Sequence, residues 1–218
     1  MEALSGANAV LLADQFNPSI LSEHWLVRHG IIPDEPGAPD RVFVPGLVSV
    51  ATTDFVLHAV PQRVQFSLRR PAEDGQAILE ATLGSVVDLL PHTPYRAMGL
   101  NFSWSCVAGD RAAFASGLRA AFAPDGTVLG REFPEADARF GAYASRDVLA
   151  MRMRLDVKPV HSELGGQAVE GLAYEFNFHK DLDPDCPVEG IRDAIARWTE
   201  ARGLSQCVFE ATTRWVPR

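Results

Sequence analysis

Hydrophobic and polar residues alternate in several stretches of the chain, which is the spacing expected of β-strands that bury one face. The clearest stretch is 96–107, whose expected buried positions are Met98, Leu100, Phe102, Trp104 and Cys106. Alternation or a short apolar run also predicts strands over 8–16, 41–50, 53–60, 62–69, 149–157, 172–178 and 207–215. Because alternating strands have one face in water, this spacing favours antiparallel pairing.

Helical spacing and helix-end residues predict helices between these strands. Asn17 is a good N-cap, Pro18 suits the first helical position, and Gly30 follows the end of the same helix. The segment 123–146 is rich in Gly, Pro and charge, and no element is assigned to it. The predicted helices are 17–30, 76–90, a short helix after Asp110, and 185–203.

These elements predict one α+β domain over 1–218, with a mostly antiparallel sheet and helices on one face. Two stretches, 62–104 and 168–215, each run from a hairpin-like pair through a helix to a long alternating strand. This similarity suggests a pseudo-duplication with halves near 1–107 and 108–218, built as two fused ferredoxin-like (β-α-β-β-α-β) units. Residue identity between the halves is low, so two unrelated halves of an ordinary α+β fold are the alternative.

Composition supports a folded, soluble protein. Hydrophobic residues make up 47% of the chain and charged residues 22%, which is ordinary for a globular protein. Three cysteines without CxxC spacing form neither a disulfide framework nor a zinc motif, and they suit a reducing compartment. No signal peptide and no apolar run of about 20 residues is found. The sequence therefore predicts a cytoplasmic protein without a membrane partner.

The net charge of −8 argues against a nucleic-acid partner, because nucleic-acid binding is usually carried by a basic excess. A nucleic-acid accessory protein is a third alternative. The nucleotide-binding, zinc-protease, serine-hydrolase and calcium-loop motifs are absent. We therefore expect no cofactor, no metal and no catalytic residue that can be named from the sequence.

One polar cluster lies where the second helix gives way to the long strand. It contains His92, Tyr95 and Arg96 and continues to Asn101. An imidazole, a phenol and a guanidinium together can bind an anion or transfer a proton. The simpler interpretation is a helix stop, in which Arg96 pairs with a nearby acid.

A second candidate is the basic row on the strand 149–157, where Arg152 and Arg154 point away from the core with Lys158 beyond them. Such a row can contact an anionic ligand or an acidic partner. More often such a row is the solvated side of an antiparallel sheet.

Two functions are consistent with this sequence. The first is a non-catalytic protein-binding or assembly module that self-associates through its sheet edges or binds a protein partner, since exposed edges are templates for pairing. The alternative is a small-molecule-binding protein or an enzyme acting on an anionic ligand. That alternative requires the candidate side chains to converge in one pocket.

Overall fold

A nine-stranded antiparallel sheet forms the centre of the protein, which confirms the predicted α+β class. The computed structural model describes residues 2–35, 40–69, 74–164 and 167–216, without the side chains of Glu2 and residues 162–168. The strand order is β2-β3-β4-β5-β1-β6-β9-β8-β7. The strands are β1 Glu2–Ala13, β2 Arg41–Val44, β3 Leu47–Ala51, β4 Phe55–Val60, β5 Arg63–Leu68, β6 Tyr95–Val107, β7 Ala142–Val148, β8 Met151–Leu164 and β9 Gln167–Asp181.

The first strand is longer than predicted and occupies a central position. β1 begins at Glu2 and pairs with β5 on one side and β6 on the other. The predicted strand 41–50 is instead a hairpin of two strands, because Gly46 has a φ of 81° and reverses the chain after Pro45. A φ in this region favours glycine, and it cannot be read from alternation.

The helices cover one face of the sheet. Trp104 of β6 stacks on Phe209 at 5.4 Å, and its indole N–H donates to the Ser205 hydroxyl at 2.9 Å. Phe102, on the same face of β6, contacts Trp198 at 4.7 Å. The helices are α1 Glu23–Arg28, α2 Gly75–Leu79, α3 Ser85–Leu89, α4 Arg111–Phe122, α5 Val128–Glu132, α6 Pro187–Ala196 and α7 Trp198–Thr212, with a π-helical turn Glu80–Gly84 joining α2 to α3.

The predicted helix 17–30 is divided in two. Asn17 caps only a single 3-10 turn over Pro18–Ile20, accepting from the Ser19 N–H at 3.1 Å. Ser22 then caps α1 by accepting from the Trp25 N–H at 3.3 Å. The predicted cap at Asp110 is confirmed, since its carboxylate accepts from the Ala113 N–H at 3.0 Å.

The predicted C-terminal strand 207–215 is wrong, because α7 continues to Thr212 with Gly203 inside it. Trp198, Ala201, Ser205 and Phe209 are the buried positions of α7, and their spacing of three and four is helical. The second half of the chain therefore ends in a helix where the first half ends in β6. Two ferredoxin-like halves are not confirmed.

The segment 123–146, left unassigned from sequence, contains α5 and most of β7. The Gly165–Gly166 turn lies outside the described residues. Within the described residues, no helix has both the length and the apolar character needed to cross a membrane.

Candidate functional site

One face of the sheet carries no helix among the described residues. On β6, Leu100, Phe102 and Trp104 are buried beneath the helices, whereas Asn101 and Ser103 on the opposite side are half-buried. Side chains at the equivalent positions of the other strands are likewise half-buried or exposed. We call this side of the sheet, marked by Asn101 and Ser103, the open face.

Four apolar residues lie exposed at one end of the open face. In the register of β2 and β3, Val44 is opposite Leu47. Leu47 and Val60 each adjoin the Val48–Ala59 pair of β3 and β4. Val42 lies two residues from Val44 on the same side of β2. Between 37% and 47% of the surface of each of these four residues is exposed. We call Val42, Val44, Leu47 and Val60 the apolar patch.

A row of asparagine side chains crosses the centre of the open face. Asn8 of β1, Asn101 of β6 and Asn177 of β9 are directly opposite one another. The Asn177 amide donates to the Asn101 oxygen at 2.7 Å, and the Asn101 amide donates to the Asn8 oxygen at 2.8 Å. We call these three residues the amide ladder. Hydrogen bonds in such a chain polarise one another and fix the orientation of each amide.

A concavity of about 350 Å³ lies beside the amide ladder. Gly99 is in its floor, because a residue without a side chain leaves a depression between its neighbours on the sheet. Arg63, Glu175 and His179 are its ionisable lining residues. Glu175 accepts a hydrogen bond from Ser103 at 2.6 Å, and the His179 ring nitrogen Nε2 lies 3.1 Å from Asp181.

Three of the predicted site residues share the open face. Asn101 belongs to the amide ladder, Arg154 is opposite Asn177, and Arg152 is opposite His179. The Arg152 guanidinium donates to Asp147 at 3.1 Å and to the Ser145 hydroxyl at 2.7 Å. These bonds hold Arg152 toward β7, so its charge is already partly compensated.

The other three predicted site residues lie elsewhere. Tyr95 is opposite Ala13 and only 4% exposed, and burial raises the pKa of its phenol. A tyrosine with a raised pKa is poorly suited to proton transfer near neutral pH. Arg96 lies at a bulge in β6, 3.8 Å from Asp14. His92 lines a separate groove of about 940 Å³ between the loops at the sheet end.

The six predicted residues therefore do not line one common cavity. Ligand binding by any of the six stays a prediction. Sequence reasoning did not find Asn8, Asn177 or Gly99, because their alignment across three strands depends on a strand order that no local pattern encodes.

A buried carboxylate joins the β8–β9 hairpin to the rest of the protein. Glu170 is 7% exposed, and its oxygen Oε1 lies 2.9 Å from both Arg111 and Arg139. His161 Nδ1 is 3.9 Å from the same oxygen. Among the described residues, no group of three or more His, Cys, Asp or Glu side chains has the arrangement of a metal site.

Comparisons with known proteins give no relative from which a function can be transferred. The chain matches no protein-family model, no curated protein and no solved structure. The geometry of the described residues is therefore the basis for the proposals below.

Proposed function

We propose that this protein is a non-catalytic assembly module that self-associates through the apolar patch on its open face. The observation that carries this proposal is the exposure of Val42, Val44, Leu47 and Val60 side by side in register on three neighbouring strands. Contiguous exposed apolar surface of this kind is typical of interaction sites.

The size of the patch favours a reversible contact. On one face of a sheet each residue covers about 4.8 Å by about 6.7 Å, so the four residues of the apolar patch cover roughly 130 Å² of sheet. A standard stable interface takes about 800 Å² from each partner, so the patch alone supports a weak or transient complex. We therefore expect a dimer that dissociates on dilution.

A second copy of this chain is the partner that the patch fits best. A two-fold axis at Leu47 places valine and leucine of one copy against valine and leucine of the other, which gives an isologous contact. The patch contains no charged residue, and interface cores are depleted of charge. Each copy carries a net charge of −8, and contact through an uncharged surface adds no local charge repulsion to the repulsion between the two net charges.

The test is the oligomeric state of wild-type protein and of Val60→Lys, measured by sedimentation velocity over a range of concentrations. We expect wild type to shift from monomer to dimer with increasing concentration. Val60→Lys is expected to stay monomeric, because each contact would bury two unpaired ammonium groups.

Val128→Lys is the matched control. Val128 is 63% exposed on α5 and is not part of the apolar patch, so this variant should dimerise like wild type. A wild-type protein that stays monomeric at every concentration contradicts the proposal. Dimerisation of Val60→Lys also contradicts the proposal. That result would direct attention to the exposed edge strand β7 or to another protein partner.

We also propose a cytoplasmic location. Cys186 and Cys207 are exposed thiols outside any disulfide, which is typical of a reducing compartment. Cell fractionation that recovers the protein in the membrane or the secreted fraction would contradict this location.

A further inference from the structure

Two amide nitrogens of the amide ladder lie above the same point on the open face. A Cβ atom built on Gly99 would be 3.1 Å from Asn177 Nδ2 and 3.9 Å from Asn101 Nδ2. Since residue 99 is glycine, it places no side chain between its Cα atom and the two amide nitrogens, and a ligand atom in van der Waals contact with Cα lies farther out along the same direction. Gly99 forms part of the floor of the concavity of about 350 Å³.

Each of these nitrogens has one hydrogen to spare. A side-chain amide NH₂ carries two hydrogens. Asn177 Nδ2 gives one to Asn101, and Asn101 Nδ2 gives one to Asn8. Within the described part of the chain, neither nitrogen donates a second hydrogen bond. Two N–H donors therefore remain for an acceptor placed above Gly99.

We propose that the concavity binds a small carboxylate, with one carboxylate oxygen above Gly99 accepting from Asn101 and Asn177. Two neutral donors suit one oxygen of a carboxylate, whereas phosphate sites usually gather several basic side chains. Arg63 lines the same concavity and can supply the compensating charge. Its volume suits a ligand of modest size.

The remaining lining residues orient such a ligand. Val10 and Leu12 provide an apolar surface for a short carbon chain. Glu175 lies beyond Asn177, on the side away from His179, and repels a carboxylate from that end. The carboxylate is thereby favoured at Gly99, where the donors converge.

This inference does not depend on the proposed dimer. Gly99 is on β6, three strands from Val60 on β4, which corresponds to about 14 Å at a strand spacing of about 4.8 Å. Arg63, which lines the concavity, is opposite Val60, so the two sites meet at Arg63. Because Gly99 and the two amide donors lie outside the apolar patch, either proposal can fail while the other stands.

The experiment is a titration of the ¹⁵N-labelled full chain with sodium succinate, following the side-chain amide signals of Asn101 and Asn177 by NMR. Sodium chloride at equal ionic strength and the neutral analogue succinamide are titrated in parallel. We expect saturable shifts of both amides with succinate and at least about tenfold weaker binding of succinamide, since hydrogen bonds to a charged group are the stronger ones.

Gly99→Ala is the decisive variant, because its methyl group projects into the space that the carboxylate oxygen needs above Gly99. We expect at least about tenfold weaker succinate binding. Gly6→Ala is the matched control on the same face, since its Cβ would be an ordinary 3.6 Å from Ser103. Backbone amide spectra of both variants report whether the fold is retained. If Gly99→Ala does not fold, Asn177→Ser, which removes one of the two donors, replaces it.

Three outcomes would overturn the inference. The first is the absence of a saturable shift in wild type, and the second is undiminished succinate binding by Gly99→Ala or its replacement. The third is equal binding of succinate and succinamide, which would identify a site for neutral carbonyl groups instead.

Discussion

Leu149 and Ala150 form the two-residue turn between β7 and β8, and both have a φ of 56°. Two positive φ angles are typical of a type I′ hairpin turn, which Asn-Gly usually provides. A side chain in this region places its Cβ too close to the backbone, at a cost of about 1–2 kcal/mol per residue. The turn is therefore held in place by the pairing of the flanking strands, from Ala142–Val157 to Val148–Met151.

We predict that Ala150→Gly stabilises the protein. Ala150 is exposed, so the change removes backbone strain without removing a buried contact. The greater freedom of glycine in the unfolded chain offsets part of the gain, which leaves an increase of about 0.5–1 kcal/mol in the free energy of unfolding. Urea unfolding followed by circular dichroism measures this change.

Ala144→Gly provides the opposite case for this prediction. Ala144 is also exposed, but it lies in the extended backbone of β7, where glycine costs about 0.5–1 kcal/mol relative to alanine. The two variants should therefore shift the unfolding midpoint in opposite directions. A loss of stability in both would show that the turn at Ala150 is not strained.

At the scale of elements, the sequence predicts those whose local pattern agrees with their environment. β6 was predicted to within one residue of its observed start, because its alternation matches a strand with one buried face. Residues 207–215 alternate as well, yet they belong largely to α7, where tertiary contacts select the helical stripe ending at Phe209. Local alternation cannot distinguish these two cases.

The candidate site was less predictable than the fold. Asn101 was identified from its polar neighbours, but its partners Asn8 and Asn177 lie 93 and 76 residues away in the chain. The residues of the apolar patch have the spacing of ordinary strand residues, and this spacing does not show that they are exposed. Their exposure depends on which face the helices cover, and that is decided by long-range packing.

The β8–β9 hairpin extends past its neighbours in the sheet. The register of β7 on β8 ends at Val157, whereas β8 and β9 stay paired to the Leu164–Gln167 pair. Near this extension, Glu170 connects β9 to Arg111 at the start of α4 and to Arg139 before β7. The carboxylate thus ties three segments together at one buried point.

We predict that Glu170→Gln lowers the free energy of unfolding by about 1–3 kcal/mol, because it removes the charge that two arginines share at a buried position. Asp88→Asn is the comparison. Asp88 lies only 2.6 Å from Arg192, but both side chains are exposed, and exposed ion pairs contribute little. Urea unfolding should show a clearly lower free energy of unfolding for Glu170→Gln and no loss for Asp88→Asn. Equal effects of the two substitutions would contradict the role given to the burial of Glu170.

At the scale of the whole molecule, the helices bury one face of the sheet and leave the other to carry two different surfaces. The apolar patch lies on β2 to β4, and the amide ladder with its concavity lies on β1, β6 and β9. Separation of apolar and polar surface on one rigid sheet allows a protein contact and a small-molecule site to coexist without sharing residues.

The net charge of the molecule gives the last prediction, which concerns salt. Two copies at −8 repel each other, over about 30 Å in 0.01 M salt and about 8 Å in 0.15 M salt. A contact through the uncharged patch should therefore tighten as salt is raised over this range. A contact made instead through Arg152, Arg154 and the neighbouring acids should weaken, because salt screens attraction as well. Sedimentation velocity at the two salt concentrations decides between these two contacts, and Val60→Lys is expected to stay monomeric at both. A dimer that dissociates as salt increases would place the interface at Arg152 and Arg154, on the charged half of the open face.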